Sequence, residues 1–242
     1  MSESSFRFKQ FTVHQDKCAM KVTTDSCLFG SLLPTSSKGG SGLNVLDIGT
    51  GTGLLTLMFA QKNPDAIIDA IEIDQEAAEQ ARENVEASPW KGKINIIHAN
   101  AKSFAFNKKY DLIISNPPFY ESEIKPENAR RSIAHHSGGL LLEELLSVIK
   151  SILKPDGSFS LLLPFKRNTE IKNLLSKYEF DILQMIFVRQ SLNHDYFRII
   201  IIGKNKSEKS VKTDFDEISI CAEVQQYTAG FRKSLKDYYL HL

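Results

Sequence analysis

The feature that most constrains this chain is an alternation of short apolar runs with longer amphipathic ones. Residues 44–48, 66–73, 94–98, 111–115, 158–163, 180–188 and 198–202 are compact apolar stretches. Residues 54–60, 75–87, 140–153 and 169–177 carry helix-like patterns between them. Strands joined through helices run parallel and are covered on both faces, so they read as near-continuous apolar runs. The pattern predicts an α/β domain with a mostly parallel sheet flanked by helices. The helix over 140–153 is expected to stop at Pro155-Asp156-Gly157, and residues 204–212 to form a polar loop. Residues 215–224 read as one more strand and 227–240 as a terminal helix.

Residues 1–34 lie outside that alternation. Phe6, Phe8, Phe11 and Val13 suggest short extended pieces, and residues 14–17 a turn. Thr24 or Asp25 is suited to cap a helix over 26–33. The segment TSSKGGSG, residues 35–42, reads as a flexible connection. The expected division is therefore an N-terminal extension, 1–34, and a main domain, 35–242.

Composition narrows the class. A length of 242 residues with 42% apolar residues suits one large domain or one domain with an appendage. No apolar run approaches the ~18 residues that cross a bilayer. MSESSFRFKQ has no signal-peptide core. The expectation is a soluble cytoplasmic protein with no membrane partner. Cys18, Cys27 and Cys221 form no C-x-x-C pair, which points to free thiols and gives a metal site no support. A net charge of +1 excludes a uniformly basic surface, so any nucleic-acid contact must use local clusters such as 125–131, 166–167 or 232–236.

Two motifs carry chemistry. VLDIGTGTGLL, residues 45–55, follows a strand and opens a helix. Gly49, Gly51 and Gly53 allow a tight turn and close approach of a ligand to the backbone. The dinucleotide fingerprint G-x-G-x-x-G fails, because the third glycine comes one residue early. The next strand ends with Asp69, Glu72 and Asp74, and a carboxylate at that tip can accept hydrogen bonds from ribose hydroxyls. The second motif, Asn116-Pro117-Pro118-Phe119, ends an apolar strand abruptly, since proline cannot donate to a ladder.

The glycine loop preceded by Asp47 resembles motif I of S-adenosylmethionine-dependent methyltransferases. That resemblance implies a Rossmann-like class I fold of seven strands, with S-adenosyl-L-methionine as cofactor. Its amino-acid part would lie on the loop, and Asp47 would hold the cationic end or order the loop. Of Asp69, Glu72 and Asp74, Glu72 best fits the position that the resemblance implies for the ribose contact. Ile73 would pack on the adenine ring, with Asn100 and Ala101 at the end of the third strand beside it; Asn100 stands where Asp is usual in the family. Residues 116–119 resemble motif IV of amino-methyltransferases. There the Asn116 side-chain oxygen and the Pro117 main-chain oxygen accept from an exocyclic amine, Pro118 fixes their directions, and Phe119 stacks on the base.

The stretch 8–33 is similar to the opening of the tRNA(Val) adenine-37 N6-methyltransferase family, through Lys9-Gln10-Phe11, Cys18 to Val22 and Thr24-Asp25. The resemblance continues through both motifs, the stretch 131–135 and FRKSLKDYYL. It implies methylation of the adenine beside the anticodon of a valine tRNA. It also makes Lys21, Thr24 and Asp25 a lid over the cofactor. Arg130, Arg131 and His135 are candidates for RNA contact, because arginine binds phosphate bidentately; His136 and Tyr120 have no assigned role. No obligate protein partner is implied. Two other readings stay open: a glutamine N5-methyltransferase acting on release factors, and a non-catalytic RNA-binding protein of the same fold. The short N-terminal extension weighs against the first, and the intact Asn116-to-Phe119 tip against the second.

Overall fold

A computed structural model of the protein describes residues 4–35, 42–118, 140–223 and 226–242. The main domain is built on a twisted sheet. Its strands are β3 (Asn44–Ile48), β4 (Ile67–Glu72), β5 (Ile94–His98), β6 (Tyr110–Ser115), β7 (Leu153–Pro164), β8 (Phe180–Ser191), β9 (Tyr196–Asn205), β10 (Asp214–Glu223) and β11 (Gln226–Tyr227). They lie in the order β11-β10-β8-β9-β7-β6-β3-β4-β5. The stretch from β5 to β7 is wholly parallel. Strand β9 inserts antiparallel between β7 and β8. The seven apolar runs are β3 to β9 and the further strand expected over 215–224 is β10, which with β11 takes the sheet to nine strands among the described residues, two more than the resemblance implies.

Both faces of the sheet are buried, and alternation along each strand sorts its side chains between two cores. Val45, Ile68, Leu112, Ile114, Leu162 and Ile200 face one way, against α1 (Thr24–Leu32), α2 (Leu54–Lys62) and α3 (Gln75–Glu86). Leu46, Ile71, Ile113, Leu161, Leu163 and Ile201 face the other, against α4 (Leu142–Ile152) and α5 (Asn168–Lys177). Helix α3 shows why such segments fold as they do. Asp74 caps it by accepting from the Ala77 N–H at 2.8 Å, and Ala77, Ala78, Ala81 and Val85 form its buried stripe.

The N-terminal extension is built into the first of these cores. Strands β1 (Ser5–Arg7) and β2 (Thr12–His14) pair antiparallel, and Phe8, Phe11 and Val13 are buried. Phe8 stacks on Phe11, and Phe11 meets Trp90 edge-on. Helix α1 starts at Thr24 with Thr23 as its cap, one residue ahead of the expected cap.

Three other expectations are corrected. The terminal helix, α6 (Ala229–Leu235), is shorter than 227–240 because Tyr238 and Tyr239 turn into the core, where Tyr239 bridges Phe8. Strand β7 starts directly after α4 rather than at residue 158, and Pro155-Asp156-Gly157 forms an irregularity within it. Its register jumps from Tyr110↔Leu153 to Leu112↔Ser158 across that stretch. The run 204–212 is partly strand, since β9 extends to Asn205.

Strand order reverses at β3, which has β4 on one side and β6 on the other. Ligands of open α/β sheets bind beyond the carboxyl ends of the strands at such a reversal. The glycine loop and Asn116 both emerge there.

Candidate active site

The carboxyl ends of β3, β4, β5 and β6 border a cavity of about 410 Å³, within the ~300–1,000 Å³ typical of small-molecule sites. Its wall includes Gly49, Gly51, Glu72, Ile73, Asn100, Ala101, Asn116, Pro117 and Pro118. These candidates are distant in sequence and are brought together by the strand order.

The loop after β3 is shaped by glycine. Gly49, Gly51 and Gly53 have φ of 73°, 54° and 82°, a region that side chains with a Cβ rarely adopt. A Cβ built on Gly49 or Gly51 would meet nothing within 4 Å, so the loop backbone is open on that side. Asp47 lies beneath it, fully buried. Its Oδ2 accepts from the hydroxyls of Thr50 and Thr56, each at 2.7 Å, which ties the loop to the first turn of α2. Among the described residues its Oδ1 has no hydrogen-bond partner. Burial pushes the Asp47 carboxyl up to about 6, aided by the nearby Glu72 charge and opposed by the two threonine bonds.

Glu72, at the tip of β4, ties the glycine loop to the turn after β4. Its Oε2 accepts from the Gly51 N–H at 2.9 Å, and its Oε1 from the N–H groups of Ile73 and Asp74 at 2.8 and 3.0 Å. Asn100 turns its Oδ1 to the N–H of Lys102 at 2.9 Å. Ile73 is 41% exposed at the cavity rim.

On the opposite side, the Ser115 hydroxyl donates to the Ile48 carbonyl at 2.7 Å and locks the end of β6 to the end of β3. Asn116 follows. Its Nδ2 donates to the Ser26 hydroxyl at 2.9 Å, while among the described residues its Oδ1 accepts no hydrogen bond. Phe119, Tyr120, Arg130, Arg131, His135 and His136 lie outside the described residues.

The extension supplies wall residues that sequence reasoning missed. Cys18, Ala19 and Met20 line the cavity; they sit inside the C-A-M-K-V block, whose place in the wall no spacing rule reveals. Burial pushes the Cys18 thiol up to about 11, so it stays protonated at neutral pH. The three residues named as a lid are arranged differently from this wall. The Lys21 ammonium donates to the carbonyls of Gln15 and Cys18 and staples its own loop. Thr24 begins α1, and Asp25 pairs with Arg198 at 2.7 Å. Ser26 was also missed, as its sequence signal is only that of a helix first turn.

Among the described residues no group of three or more His, Cys, Asp or Glu side chains is placed to hold a metal ion, and no helix is long and apolar enough to cross a membrane.

Comparison with known proteins places the fold and the family. A family model described as methyltransferase small domain matches residues 18–184. A solved structure of a predicted O-methyltransferase from Agrobacterium tumefaciens superposes with a TM-score of 0.67 at 18% identity, covering 88% of this chain and 95% of that one. At that identity the likeness is one of fold. A protein from Dyadobacter fermentans named tRNA1(Val) (adenine(37)-N6)-methyltransferase is 50% identical over 159 residues, 66% of this chain and 65% of its own. A protein of the same name from Bacteroides thetaiotaomicron is 37% identical over 243 residues, 100% of both chains. With a match that runs from end to end, this chain belongs to the tRNA1(Val) (adenine(37)-N6)-methyltransferase family.

Proposed function

We propose that this enzyme methylates the exocyclic N6 of the adenine at position 37, next to the anticodon, of a valine tRNA. The observation that carries the reading is the Asn116 carboxamide. It stands across one cavity from the glycine loop, with its nitrogen end occupied and its oxygen end accepting no bond among the described residues. The end-to-end likeness to relatives named for this reaction supports the choice of acceptor.

S-adenosyl-L-methionine, when bound, supplies a methyl group made electrophilic by its sulfonium. The residues present fit it. The open backbone at Gly49 and Gly51 suits its amino-acid part, the Glu72 carboxylate its ribose hydroxyls, and Ile73, Asn100 and Ala101 its adenine. A carboxylate has about four acceptor positions, so Glu72 can exchange its bond to the Gly51 N–H for a hydroxyl. Asp47 holds the loop through Thr50 and Thr56. The extension closes the wall through Cys18 to Met20, with Lys21 stapling the loop that carries them.

The acceptor side must solve a different problem. The lone pair of an adenine amine is delocalised into the ring and is a poor nucleophile. Two oxygens accepting its two N–H groups favour a more tetrahedral nitrogen. Asn116 Oδ1 and the Pro117 carbonyl are the pair this chain offers, and the rigid prolines fix their directions. Neither group ionises, so their effect comes from position and fixed dipoles. Phe119 provides the stacking face for the base, an interaction worth about 1–3 kcal/mol. Arg130, Arg131 and His135 are the RNA-contact candidates. An adenine in a loop costs less to extrude than one in a duplex.

The test is transfer of labelled methyl from S-adenosylmethionine to tRNA from a strain lacking this modification, followed by digestion to nucleosides. Label on N6-methyladenosine, reduced at least a hundredfold in Asn116→Ala, is the expected result. Label on protein or on guanosine would overturn the reading.

A further inference from the structure

We propose that Ser26 is a positioning residue for methyl transfer, its hydroxyl holding the Asn116 carboxamide in the one orientation that leaves Oδ1 free for the substrate amine. This rests on the reading of Asn116 as the amine acceptor. A carboxamide has two ends of opposite character, nearly equal in size, one accepting and one donating. Rotated by half a turn, Asn116 would present N–H groups to an amine that is itself a donor, and the two would repel. Its position at the end of β6 does not choose between the two rotations.

Ser26 makes that choice. Asn116 Nδ2 lies 2.9 Å from Ser26 Oγ, and the contact joins residues 90 positions apart. A hydroxyl can donate as well as accept, so the choice holds only if the Ser26 proton is directed elsewhere. Thr23 Oγ1 lies 2.7 Å from Ser26 Oγ, and the same Thr23 oxygen accepts from the Ser26 N–H as the cap of α1. Either hydroxyl of that pair can donate; we take Ser26 as the donor, so that its lone pair faces Asn116 and can only accept. The acceptor end of the amide is then the end left over.

The first turn of α1 is itself held in place. Asp25 pairs with Arg198 of β9 at 2.7 Å, and Ser26 is buried with 7% exposure. The extension thus reaches the reacting centre through one hydroxyl, separately from its wall at Cys18 to Met20.

The test compares turnover of wild type, Ser26→Ala, Ser26→Cys and Ser26→Thr on tRNA. Losing the bond should lower kcat about tenfold in Ser26→Ala. Ser26→Cys keeps nearly the same volume with only a weak acceptor and should fall similarly. Ser26→Thr keeps the hydroxyl and should return to within about threefold of wild type. The Kd for S-adenosylmethionine and KM for tRNA should stay within about twofold throughout. Equal kcat in wild type, Ser26→Ala and Ser26→Cys would overturn the proposal. So would a loss seen only in cofactor binding or melting temperature, or a Ser26→Thr enzyme as slow as Ser26→Ala. Failure of the parent reading looks different: wild type would then leave tRNA adenine unlabelled, and the variant ratios would be taken on whichever amine it does label.

Discussion

Asp47 carries a cost that its surroundings only partly offset. It is fully buried, and two threonine hydroxyls address one oxygen while the other has no partner among the described residues. Its carboxyl sits at about 6, above the ordinary 3.8. Raising a carboxylic acid above its unfolded value means that ionisation favours the unfolded chain. The stability this group contributes is therefore fully present below about pH 4 and is lost as pH rises through about 6. Asp47→Asn has no such proton to lose. Between about pH 4.5 and 7.5 its stability relative to wild type should improve by about 2 kcal/mol. Urea unfolding at the two pH values measures this directly, and a difference that does not move with pH would count against it. From the sequence, Asp47 was open between holding the cofactor's cationic end and ordering the loop. Its bonds to Thr50 and Thr56 could not be read there, because spacing alone does not say which way a buried carboxylate turns.

At the scale of elements, the glycine loop is where local conformation and ligand space coincide. Gly51 combines φ of 54° with open space where a Cβ would point, and it lines the cavity. Gly51→Ala should therefore lose on two counts. The left-handed backbone costs about 1–2 kcal/mol with a side chain present, and the new methyl would stand in the open space beside the loop that the proposed cofactor site uses. A lower melting temperature together with at least tenfold weaker S-adenosylmethionine binding is expected, read by thermal unfolding and calorimetry. Unchanged affinity would show that the loop does not face the cofactor. This loop was legible because its glycines, its preceding strand and its following helix lie within one short window. Strands β3 and β5 were legible for the same reason, as short apolar runs with polar ends. The β8–β9 hairpin was not. Its two apolar runs carry no mark of direction, and the insertion of β9 between β7 and β8 is set by pairing with Leu161 and Ile186 on either side. The end of α6 was obscured too, since Tyr238 and Tyr239 fit a helical pattern, but the Tyr239 ring packs on Phe6 and Phe8 and the Tyr238 hydroxyl donates to the Met58 carbonyl.

Across the whole molecule, the two ends of the chain are locked together under the sheet. Phe8 is 2% exposed and packs against Phe6, Phe11 and Tyr239, and the Lys9 N–H donates to the Tyr238 carbonyl at 2.8 Å. The extension is also tied to the glycine loop. Asn84 of α3 accepts from the His14 N–H at 2.9 Å, and its Nδ2 donates to the carbonyls of His14 and Thr52 at 2.8 and 2.9 Å. One side chain thus fixes β2 and the glycine loop at once. An extension that shares core and hydrogen bonds in this way should unfold with the domain rather than before it. Phe8→Ala removes a buried ring, at a cost of about 3–5 kcal/mol. Trp90, the single tryptophan, touches Phe11 and reports on the extension, whereas far-UV circular dichroism reports on the sheet and helices. In urea the two signals should shift together to lower denaturant and stay coincident, as one cooperative unit requires. If the tryptophan signal moved alone while the dichroism midpoint stayed at the wild-type value, the extension would be a separable unit, and its wall at Cys18 to Met20 would be free to leave the cavity without the domain unfolding.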